Sequence, residues 1–454
     1  MACLLGPGVI LVLGLGSAGA VLSTAAAGAA PDSSAWSWEA PRLAITHARG
    51  VGGDRFLRDE EQGWWRSTAG ELSFETGVRL RRGGLRGALR WRGALGEHLS
   101  ARGRLLEVWL GWRTAHWYLR AGRIPVHWGP AGGALLISHQ AAPLAQVSLR
   151  TEGWSLPGVG GRLGAGSFLG YLDDAQRVVP YPLLWGMHAT YAPRAWISAG
   201  ARRTILFGGA GRGSRLTPRD LWHIFWGQGE GSSAEVAGPE LFPARESDQK
   251  FAWHACLHPQ DWVQRRLGLH DLEMVYTYAG EDRFSGIAPM APARSFGARL
   301  HPGPRLALAL LRVVTVVKRN IWYHHKLFLS GYSYRGIALG HPMGGDARGW
   351  RSGLWMMAGD DLLLGLRVDR EERGFEKPQR VAPGGFWRWC LESTTSIGPH
   401  RLLVALEGAA PWGADRGSER LAESLVLVEL RWGAGPLSPA IGREVVWGGG
   451  GESD

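Results

Sequence analysis

The sequence predicts an all-β protein: a large transmembrane antiparallel β-barrel of roughly 16–18 strands with in-folded loops. Three observations support this prediction. Gly occurs 68 times in 454 residues, which disfavours helices because Gly costs about 1 kcal/mol relative to Ala in a helix interior. Apolar and polar residues alternate with period two along most of the chain. Trp occurs 24 times, and Trp is enriched where proteins meet a membrane interface.

Residues 1–29 are predicted to be a secretory signal peptide. A long apolar run is followed by small residues and by an Ala-Gly-Ala cleavage pattern at residues 27–29. An uncleaved membrane anchor is the alternative, because no Lys or Arg precedes the apolar run. Residues 30–68 are predicted to form a short N-terminal periplasmic segment, in which residues 54–65 form either a short helix or a poorly ordered arm.

Residues 69–432 carry the alternation that defines the predicted barrel. It is clearest in residues 85–92, 106–113, 361–369, 401–407 and 421–432. In the second of these segments the apolar face consists of the even positions, Leu106, Val108, Leu110 and Trp112. A soluble sandwich would bury such a face against a second sheet. An outer-membrane barrel would turn it toward lipid and turn the charged face toward the lumen.

Three further features favour the barrel over the sandwich. The alternating segments are about 9 to 12 residues long, the length that a tilted strand needs to cross a bilayer. Short connections such as 113–115 and 358–360 alternate with long ones such as 208–249. Aromatic residues at the strand ends are predicted to form two girdles: Trp91, Trp109, Trp112, Trp117, Tyr118, Trp185, Trp196, Tyr276, Tyr278, Trp322, Tyr323, Trp350, Trp355, Trp387, Trp389 and Trp432.

Two segments depart from the strand pattern. Residues 217–226 are predicted to be a short helix, with Thr217 as its N-cap and Pro218 in its first turn. Its apolar side, which includes Trp222 and Trp226, is expected to pack on the barrel mouth or to fold into the lumen as a plug. A Trp platform that stacks on sugar is the alternative. Residues 433–454 are predicted to be a Gly-rich tail, or to supply a last strand at 441–447.

The sequence predicts no enzyme: no catalytic residues, no cofactor and no metal site. A P-loop and a His-Glu-x-x-His motif are missing, and no Gly-x-Ser-x-Gly falls at a strand–turn–helix position. Asp360 and Asp361 are adjacent on a strand and point to opposite faces, so they do not form the facing pair that a glycosidase needs. Beyond the signal peptide only Cys256 and Cys390 remain, without a Cys-x-x-Cys motif.

The formal net charge of +11 is spread over many strands, and Arg accounts for most of the positive charge. Arg forms bidentate contacts with carboxylates and phosphates. For an exported protein, acidic polysaccharide and the phosphates of lipopolysaccharide are better partners than nucleic acid. The simpler interpretation is that inward-facing Arg residues pair with inward-facing Asp and Glu residues of neighbouring strands.

Two sequence blocks resemble the Wzi family of capsule assembly proteins. The first is GRIPVHWGPAGGALLISHQAAPLAQVSLR at 122–150, through Trp128-Gly129-Pro130, the Gly pair at 132–133 and the apolar run ending in Ser138. The second is GYSYRGIALGHPMGGDARGW at 331–350, through its Tyr-Arg-Gly and Gly-His elements. A weaker similarity covers 202–209.

The resemblance implies a barrel of about 18 strands in the bacterial outer membrane. It also implies a lectin-like, non-enzymatic role in which the protein binds and tethers capsular or other surface polysaccharide, with outer-membrane lipid and lipopolysaccharide as further partners. A porin-like transport channel is the first alternative, and a surface glycan-processing enzyme is the second.

The first block is expected to leave a strand at 128–130, to re-enter a strand at 135–137, and to fold into the barrel, where it meets the second block. Its polar residues would then either lock the loops together or contact glycan. The candidates for polysaccharide binding or for the loop network are Arg123, Trp128, Ser138, His139, Gln140, Arg335, His341, Asp346, Trp222 and Trp226.

Overall fold

A computed structural model describes most of the predicted barrel. The described residues are 36–49, 70–96, 101–129, 134–151, 153–156, 158, 160–211, 215–227, 245–281, 290–316, 322–325, 327–375, 384–413, 423–434 and 437. The predicted signal peptide, the 54–65 helix and the 441–447 strand lie outside them. Among the described residues, no helix is long and apolar enough to cross a membrane.

The described residues form strands almost throughout, with two short helices, α1 and α2. The strands are β1 (Trp36–Arg49), β2 (Gly70–Arg82), β3 (Leu85–Gly96), β4 (Ala101–Arg113), β5 (Trp117–Ile124), β6 (Leu144–Thr151), β7 (Trp154–Ser155), β8 (Arg162–Tyr171), β9 (Leu183–Arg194), β10 (Ile197–Phe207), β11 (Ser247–Leu257), β12 (Asp271–Glu281), β13 (Met290–Gly303), β14 (Leu306–Val314), β15 (Ser333–Tyr334), β16 (Ile337–Ala338), β17 (Ala347–Ala358), β18 (Leu362–Arg373), β19 (Gly384–Ile397), β20 (His400–Gly413) and β21 (Glu423–Arg431). The helices are α1 (Pro218–Phe225) and α2 (Asp261–Arg266).

Eighteen of these strands form one closed antiparallel barrel, which confirms the predicted fold class. Each pairs with the strand before and after it in the chain, apart from the short β7, β15 and β16, and β1 closes the ring by pairing with both β2 and β21. The two-residue β7 pairs beside β8, and β15 with β16 forms a separate hairpin. Closure leaves no edge strand in the ring, as a wall in lipid requires.

The barrel begins earlier than the sequence predicted, because residues 36–49 form strand β1 and not a segment that precedes the barrel. The pairing of β1 with β2 shifts between Glu39 and Arg42. This bulge contains Pro41, whose carbonyl accepts a hydrogen bond of 2.8 Å from the Trp432 amide. A Pro within a strand interrupts the ladder and the alternation, and this interruption hid β1 from the pattern.

Most connections alternate in length, as predicted, and they define the two ends of the barrel. At the short-turn end, β2–β3, β4–β5, β9–β10, β13–β14, β17–β18 and β19–β20 are joined by two or three residues. At the opposite, long-loop end, residues 125–143, 172–182, 208–246 and 315–346 connect β5–β6, β8–β9, β10–β11 and β14–β17. The residues of the family-like blocks that lie outside strands therefore belong to long-loop connections.

One β-bulge moves a predicted outward residue into the lumen. Arg90 pairs with Glu107, but the next residue, Trp91, pairs with Leu105, so Leu106 has no partner of its own. An inserted residue reverses the facing of the chain on one side of it. Leu106 is therefore buried inside, whereas Val108, Leu110 and Trp112 face outward as predicted.

The aromatic girdles were predicted correctly only in part. Several predicted members are exposed on the outer surface, including Trp112, Trp350, Trp387, Trp389 and Trp432. Tyr118 and Trp355 are buried on the inner face, and Trp109 also faces inward, where its indole N–H contacts Glu107. Trp322 and Tyr323 are buried in the connection between β14 and β17. Alternation places every second residue inward, so an aromatic side chain near a strand end need not face lipid.

The inner wall carries the cross-strand ion pairs that the charge pattern predicted. Glu75 lies between Arg90 and Arg92, and Arg90 also approaches Glu107. A second series on β17 to β20 comprises Arg351, Asp369, Arg367 and Glu407. These four Arg residues therefore pair with carboxylates of the inner wall.

Candidate functional site

Two long connections meet inside the barrel at the long-loop end. We call residues 125–143 the first loop and residues 315–346 the second loop. The Ser138 amide donates to the Leu339 carbonyl at 2.8 Å. The Tyr323 hydroxyl accepts from the His341 amide at 2.7 Å and donates to the Leu135 carbonyl. One phenol thus joins the backbones of both loops, and the meeting of the two sequence blocks inside the barrel is as predicted.

The interface between the loops and the inner wall is an apolar core. Its buried members come from the first loop, from the second loop and from inward positions of the surrounding strands: Trp128, Leu135, Leu136, Ile137, Phe168, Leu184, Leu206, Leu311, Val313, Trp322, Tyr323, Phe328, Tyr332, Tyr334, Leu339 and Met343. Fully burying one large apolar side chain contributes about 1.5–3 kcal/mol. A core of this size therefore holds the loops as a fixed part of the fold.

Lys250 of β11 anchors the second loop to the wall. Its side chain is fully buried, and its Nζ lies 2.6 Å from Asp248 and 3.0 Å from Glu281. The same ammonium lies 5.0 Å from the ring centre of Tyr332 and 5.8 Å from that of Trp322. Buried charges require this degree of pairing, because an isolated ion loses its hydration without compensation.

Asp173, in the connection between β8 and β9, links the first and second sequence blocks by charge. It accepts from Arg123 of β5 at 3.0 Å, from Arg335 of the second loop at 2.8 Å, and from the Tyr334 hydroxyl. Burial by itself would raise the pKa of Asp173, but the Tyr334 hydrogen bond and the two Arg charges hold that pKa below its usual value. Burial and the same hydrogen bond raise the pKa of Tyr334 to about 12.

Neighbouring residues of the same connection clamp the second loop further. The Arg177 guanidinium donates to the Gly331 carbonyl at 2.9 Å and also to the Ser333 carbonyl. The Val178 amide donates to the Ser330 hydroxyl at 3.0 Å. Three connections, 125–143, 172–182 and 315–346, therefore interlock at the long-loop end, and we call this region the mouth.

The first loop does not re-enter a strand at 135–137, contrary to the prediction. A single bridge joins Ile137 to Trp128, whose amide donates to the Ile137 carbonyl at 2.9 Å, and the next strand begins only at Leu144. The Trp128 ring is buried against Phe168 and His188 of the wall, at 5.4 and 5.6 Å between ring centres. Residues 130–133, with the predicted Gly pair, lie outside the described residues.

The remaining candidates of the two blocks lie within this buried assembly. Ser138, Gln140, His341 and Asp346 are buried, and the rings of His139 and His127 are 6.0 Å apart. Burial, helped by the charges of His139 and Arg202, lowers the pKa of His127 to about 4. Among the candidates of the two blocks, Arg335 remains substantially open to solvent at this mouth, with 35% of its side chain exposed.

Trp222 and Trp226 lie elsewhere, in α1 and at its C-cap, and this helix packs on the outside of the barrel. Thr204 faces the lumen, where it binds the Tyr332 hydroxyl at 2.8 Å, so its neighbours Arg203 and Ile205 face outward. Ile205 packs with Ile224 of α1, and Arg203 donates to the Phe225 carbonyl at 2.6 Å. Of the two predicted positions, barrel mouth or lumen plug, the lumen plug is therefore wrong.

The local start of α1 is as predicted from the sequence. The Thr217 hydroxyl accepts from the Asp220 amide at 3.2 Å, and the Asp220 carboxylate accepts from the Thr217 amide at 2.9 Å. This reciprocal capping fixes where the helix begins. Trp222 and Trp226 point away from the wall, with 60% and 51% of their surface exposed.

Sequence reasoning missed Asp173, assigned Tyr323 to a girdle, and gave no role to Lys250. Lys occurs at only four positions in a chain rich in Arg, and this rarity was the available signal for Lys250. Tyr323 lies in a segment without alternation, which excludes a strand position. Asp173 carries no local signal, because its partners are 50 and 162 residues away.

One solved structure of a β-barrel agrees with this architecture. No curated protein sequence matches the chain. The chain is similar to the structure of Wzi, an outer membrane protein involved in group 1 capsule assembly in Escherichia coli and a carbohydrate-binding β-barrel. The TM-score is 0.63 and the identity is 16%, over 86% of this chain and 84% of that one. The outer membrane protein OprD of Pseudomonas aeruginosa is similar at a TM-score of 0.47 and 11% identity, over 86% and 92% of the two chains.

The sequence itself gives the family. The family model for capsule assembly protein Wzi matches residues 46–392, which is more than half of the chain and includes both blocks and all three interlocked connections. The chain belongs to the Wzi family of capsule assembly proteins.

Proposed function

We propose that this chain is a non-enzymatic outer-membrane barrel that binds capsular or other surface polysaccharide and tethers it to the cell. The observation that carries the proposal is the interlocked mouth. Family membership and likeness to a carbohydrate-binding barrel support it. Outer-membrane barrels place short turns in the periplasm and long loops outside, so this mouth faces the cell exterior.

The mouth offers a rigid surface for an acidic glycan. Arg335 stands at its rim, backed by Asp173, and its backbone amide is held by Asp174 at 3.0 Å. Arg pairs well with carboxylate and phosphate groups. Binding by such exposed charges weakens with salt, because the screening length falls from about 10 Å at 0.1 M to about 3 Å at 1 M.

Deletion of the gene tests the tether. Polysaccharide is measured on washed cells and in the medium, and the tether predicts a shift from cell-bound to shed material at constant total. Complementation with Arg335→Gln should restore retention poorly. Complementation with Arg335→Lys, which keeps a cation at the rim and leaves Asp173 in place, should restore it better. An unchanged ratio in the deletion strain contradicts the tether.

Planar-bilayer conductance and polysaccharide hydrolysis decide between this proposal and the alternatives. A tether with an interlocked mouth should give no steady conductance steps, whereas a transport channel should. Purified protein should leave the polysaccharide chain length unchanged, whereas a glycan-processing enzyme should shorten it.

We also propose that α1 lies in the lipid interface of the outer leaflet. It covers Arg203 and Gln249, two outward-facing polar residues, by accepting hydrogen bonds through the Phe225 and Ile224 carbonyls. Without the helix these groups would face hydrocarbon, where unsatisfied polar groups cost several kcal/mol. Trp222 and Trp226 then extend the aromatic belt outward, toward the headgroups of lipid and lipopolysaccharide.

Site-specific fluorescence tests the position of α1. An NBD probe at Trp226→Cys, in a Cys256→Ser/Cys390→Ser background, should be quenched by lipids that carry bromine near the headgroup. A probe at Leu110→Cys on the lipid face is the positive control. A probe at Leu329→Cys is the negative control, because Leu329 is an exposed residue of the second loop. Quenching at 226 that equals the negative control contradicts the lipid position.

A further inference from the structure

Strands β11 and β12 bring a thiol, an imidazole and a carboxylate together near the short-turn end. Cys256 is on β11, and His258 is the first residue after the end of this strand. Glu273 is on β12, next to Met274, the partner of Leu257. Cys256 Sγ lies 3.6 Å from His258 Nδ1 and 3.6 Å from Glu273 Oε1, and His258 Nε2 lies 3.2 Å from the same oxygen. One ligand atom from each residue lies within 4.8 Å of the others.

We infer that Cys256, His258 and Glu273 form a binding site for a divalent metal of the zinc class. In a tetrahedral zinc site with the usual bond lengths, ligand atoms are about 3.3 to 3.6 Å apart. The 3.6 Å between Cys256 Sγ and Glu273 Oε1 agrees with these values. The two imidazole distances belong to different ring nitrogens, and with one ligand atom from each residue the three atoms lie within 4.8 Å of one another. Thiolate and imidazole together select zinc-like ions over magnesium or calcium, which prefer oxygen ligands. The site is separate from the interlocked mouth and goes beyond the tether.

The carboxylate is already oriented by a second residue. Arg299 of β13 pairs with Glu273 in the sheet register, and its guanidinium lies 2.9 Å from Glu273 Oε2 and 3.2 Å from Asp271. The Arg299 side chain is fully buried. Its contact with Oε2 leaves Oε1 directed at the thiol and the imidazole. Such outer contacts fix the position of a metal ligand.

Metal binding requires one local adjustment. The imidazole presents Nδ1 to the thiol and Nε2 to the carboxylate, so the ring must turn about its Cβ–Cγ bond until one nitrogen faces the point between Sγ and Oε1. The thiol loses its proton to solvent when the metal binds. The two anionic ligands then balance the charge of a divalent ion, and a fourth position stays open to water in the lumen.

The sequence did not predict this site, because its ligands are not in a Cys-x-x-Cys arrangement. Cys256 and His258 are two residues apart, which places both side chains on one side of the strand. Glu273 is brought to them only by the pairing of β11 with β12. Neither cysteine of the described residues forms a disulfide, so the Cys256 sulfur can serve as a thiolate ligand.

Cobalt substitution tests the inference directly. The full-length protein, purified in detergent without a polyhistidine tag, is titrated with Co²⁺, whose thiolate complexes give charge-transfer absorption in the near ultraviolet. We expect saturable thiolate absorption that Zn²⁺ displaces. Cys256→Ser should abolish it, whereas Cys390→Ser, which removes the buried thiol of β19, should leave it unchanged. His258→Gln and Glu273→Gln should each weaken binding, and Arg299→Gln should weaken it about 10-fold as an outer-contact loss.

The result that overturns the inference is equally specific. Wild-type protein without thiolate–cobalt absorption, or absorption that Cys256→Ser and Cys390→Ser change alike, excludes the site. Heat-modifiable migration in gel electrophoresis shows whether each variant retains the folded barrel, and tryptic digestion of the mouth loops shows whether the distant site is intact. If Cys256→Ser fails these checks, Cys256→Ala replaces it, and Cys256→Ala should likewise abolish the thiolate–cobalt absorption.

Discussion

Removing the Tyr323 hydroxyl should release the two loops from each other while the barrel stays folded. In Tyr323→Phe the His341 amide and the Leu135 carbonyl both lose their shared partner. Each buried polar group without a partner costs about 1–3 kcal/mol, so the two together cost about 2–6 kcal/mol. Since 1.4 kcal/mol is a factor of ten, the opening equilibrium of the mouth should rise at least about 30-fold.

Hydrogen exchange measures this opening at amides that keep their own bonds in the variant. The Ser138 and Trp128 amides bond to Leu339 and Ile137, so both should exchange at least about 30-fold faster, whereas amides of β18 and β19 should not change. Tyr191→Phe is the matched control, because its hydroxyl binds the Gly160 carbonyl at 2.9 Å, away from the mouth. Unchanged exchange at Ser138 in Tyr323→Phe would refute the role of Tyr323.

Three further predictions concern charge and lipid. The ionised Asp173 carboxylate stabilises the mouth fully above pH 3.8, its ordinary pKa, and this stabilisation is lost as the pH falls through the lowered pKa of the folded protein. Wild-type bilayer conductance should therefore appear only below pH 3.8, and Asp173→Asn should conduct at neutral pH. Lys250→Met should lower the free energy of unfolding by about 3–5 kcal/mol, because it leaves the carboxylates of Asp248 and Glu281 without their buried cation beside an apolar core. Chemical denaturation followed by Trp fluorescence measures this loss, and an unchanged midpoint would contradict the anchoring role of Lys250. Trp222→Ala with Trp226→Ala should reduce insertion into lipid vesicles containing lipopolysaccharide without altering the denaturation midpoint, and equal insertion would argue against an interfacial α1.

The strand pattern predicted from the sequence succeeded where one face meets lipid. On β3, β4 and β18 to β21, the alternation follows directly from a wall with an apolar outside and a charged inside. It failed at Pro41, where the proline interrupts the alternation, and at Leu106, where a bulge changes the facing by one residue. Trp109 and Trp355 were assigned to girdles for another reason: they lie near strand ends, and alternation turns both side chains inward.

The site shows a similar division. The two blocks were recognisable as sequence motifs, and Arg123 and Arg335 were among the residues chosen from them. Their connection runs through Asp173, which is remote in sequence from Arg335 and lies in neither block. The N-cap of α1 was predicted correctly from the sequence, because capping depends on neighbouring residues. The side of the barrel wall on which α1 packs was not predicted, because it depends on contacts with distant strands.

The sequence by itself determined the class of fold, the number of strands within a small range, the alternation of short and long connections, and the family. Each of these depends on periodicity, turn chemistry or local motifs, which are written in neighbouring residues. The tertiary structure alone decided which loops enter the lumen, that Tyr323 and Asp173 join them, that α1 lies outside, and that Cys256, His258 and Glu273 meet. These contacts depend on strand register and ring closure, and a shift of one residue in register exchanges every inward side chain for an outward one.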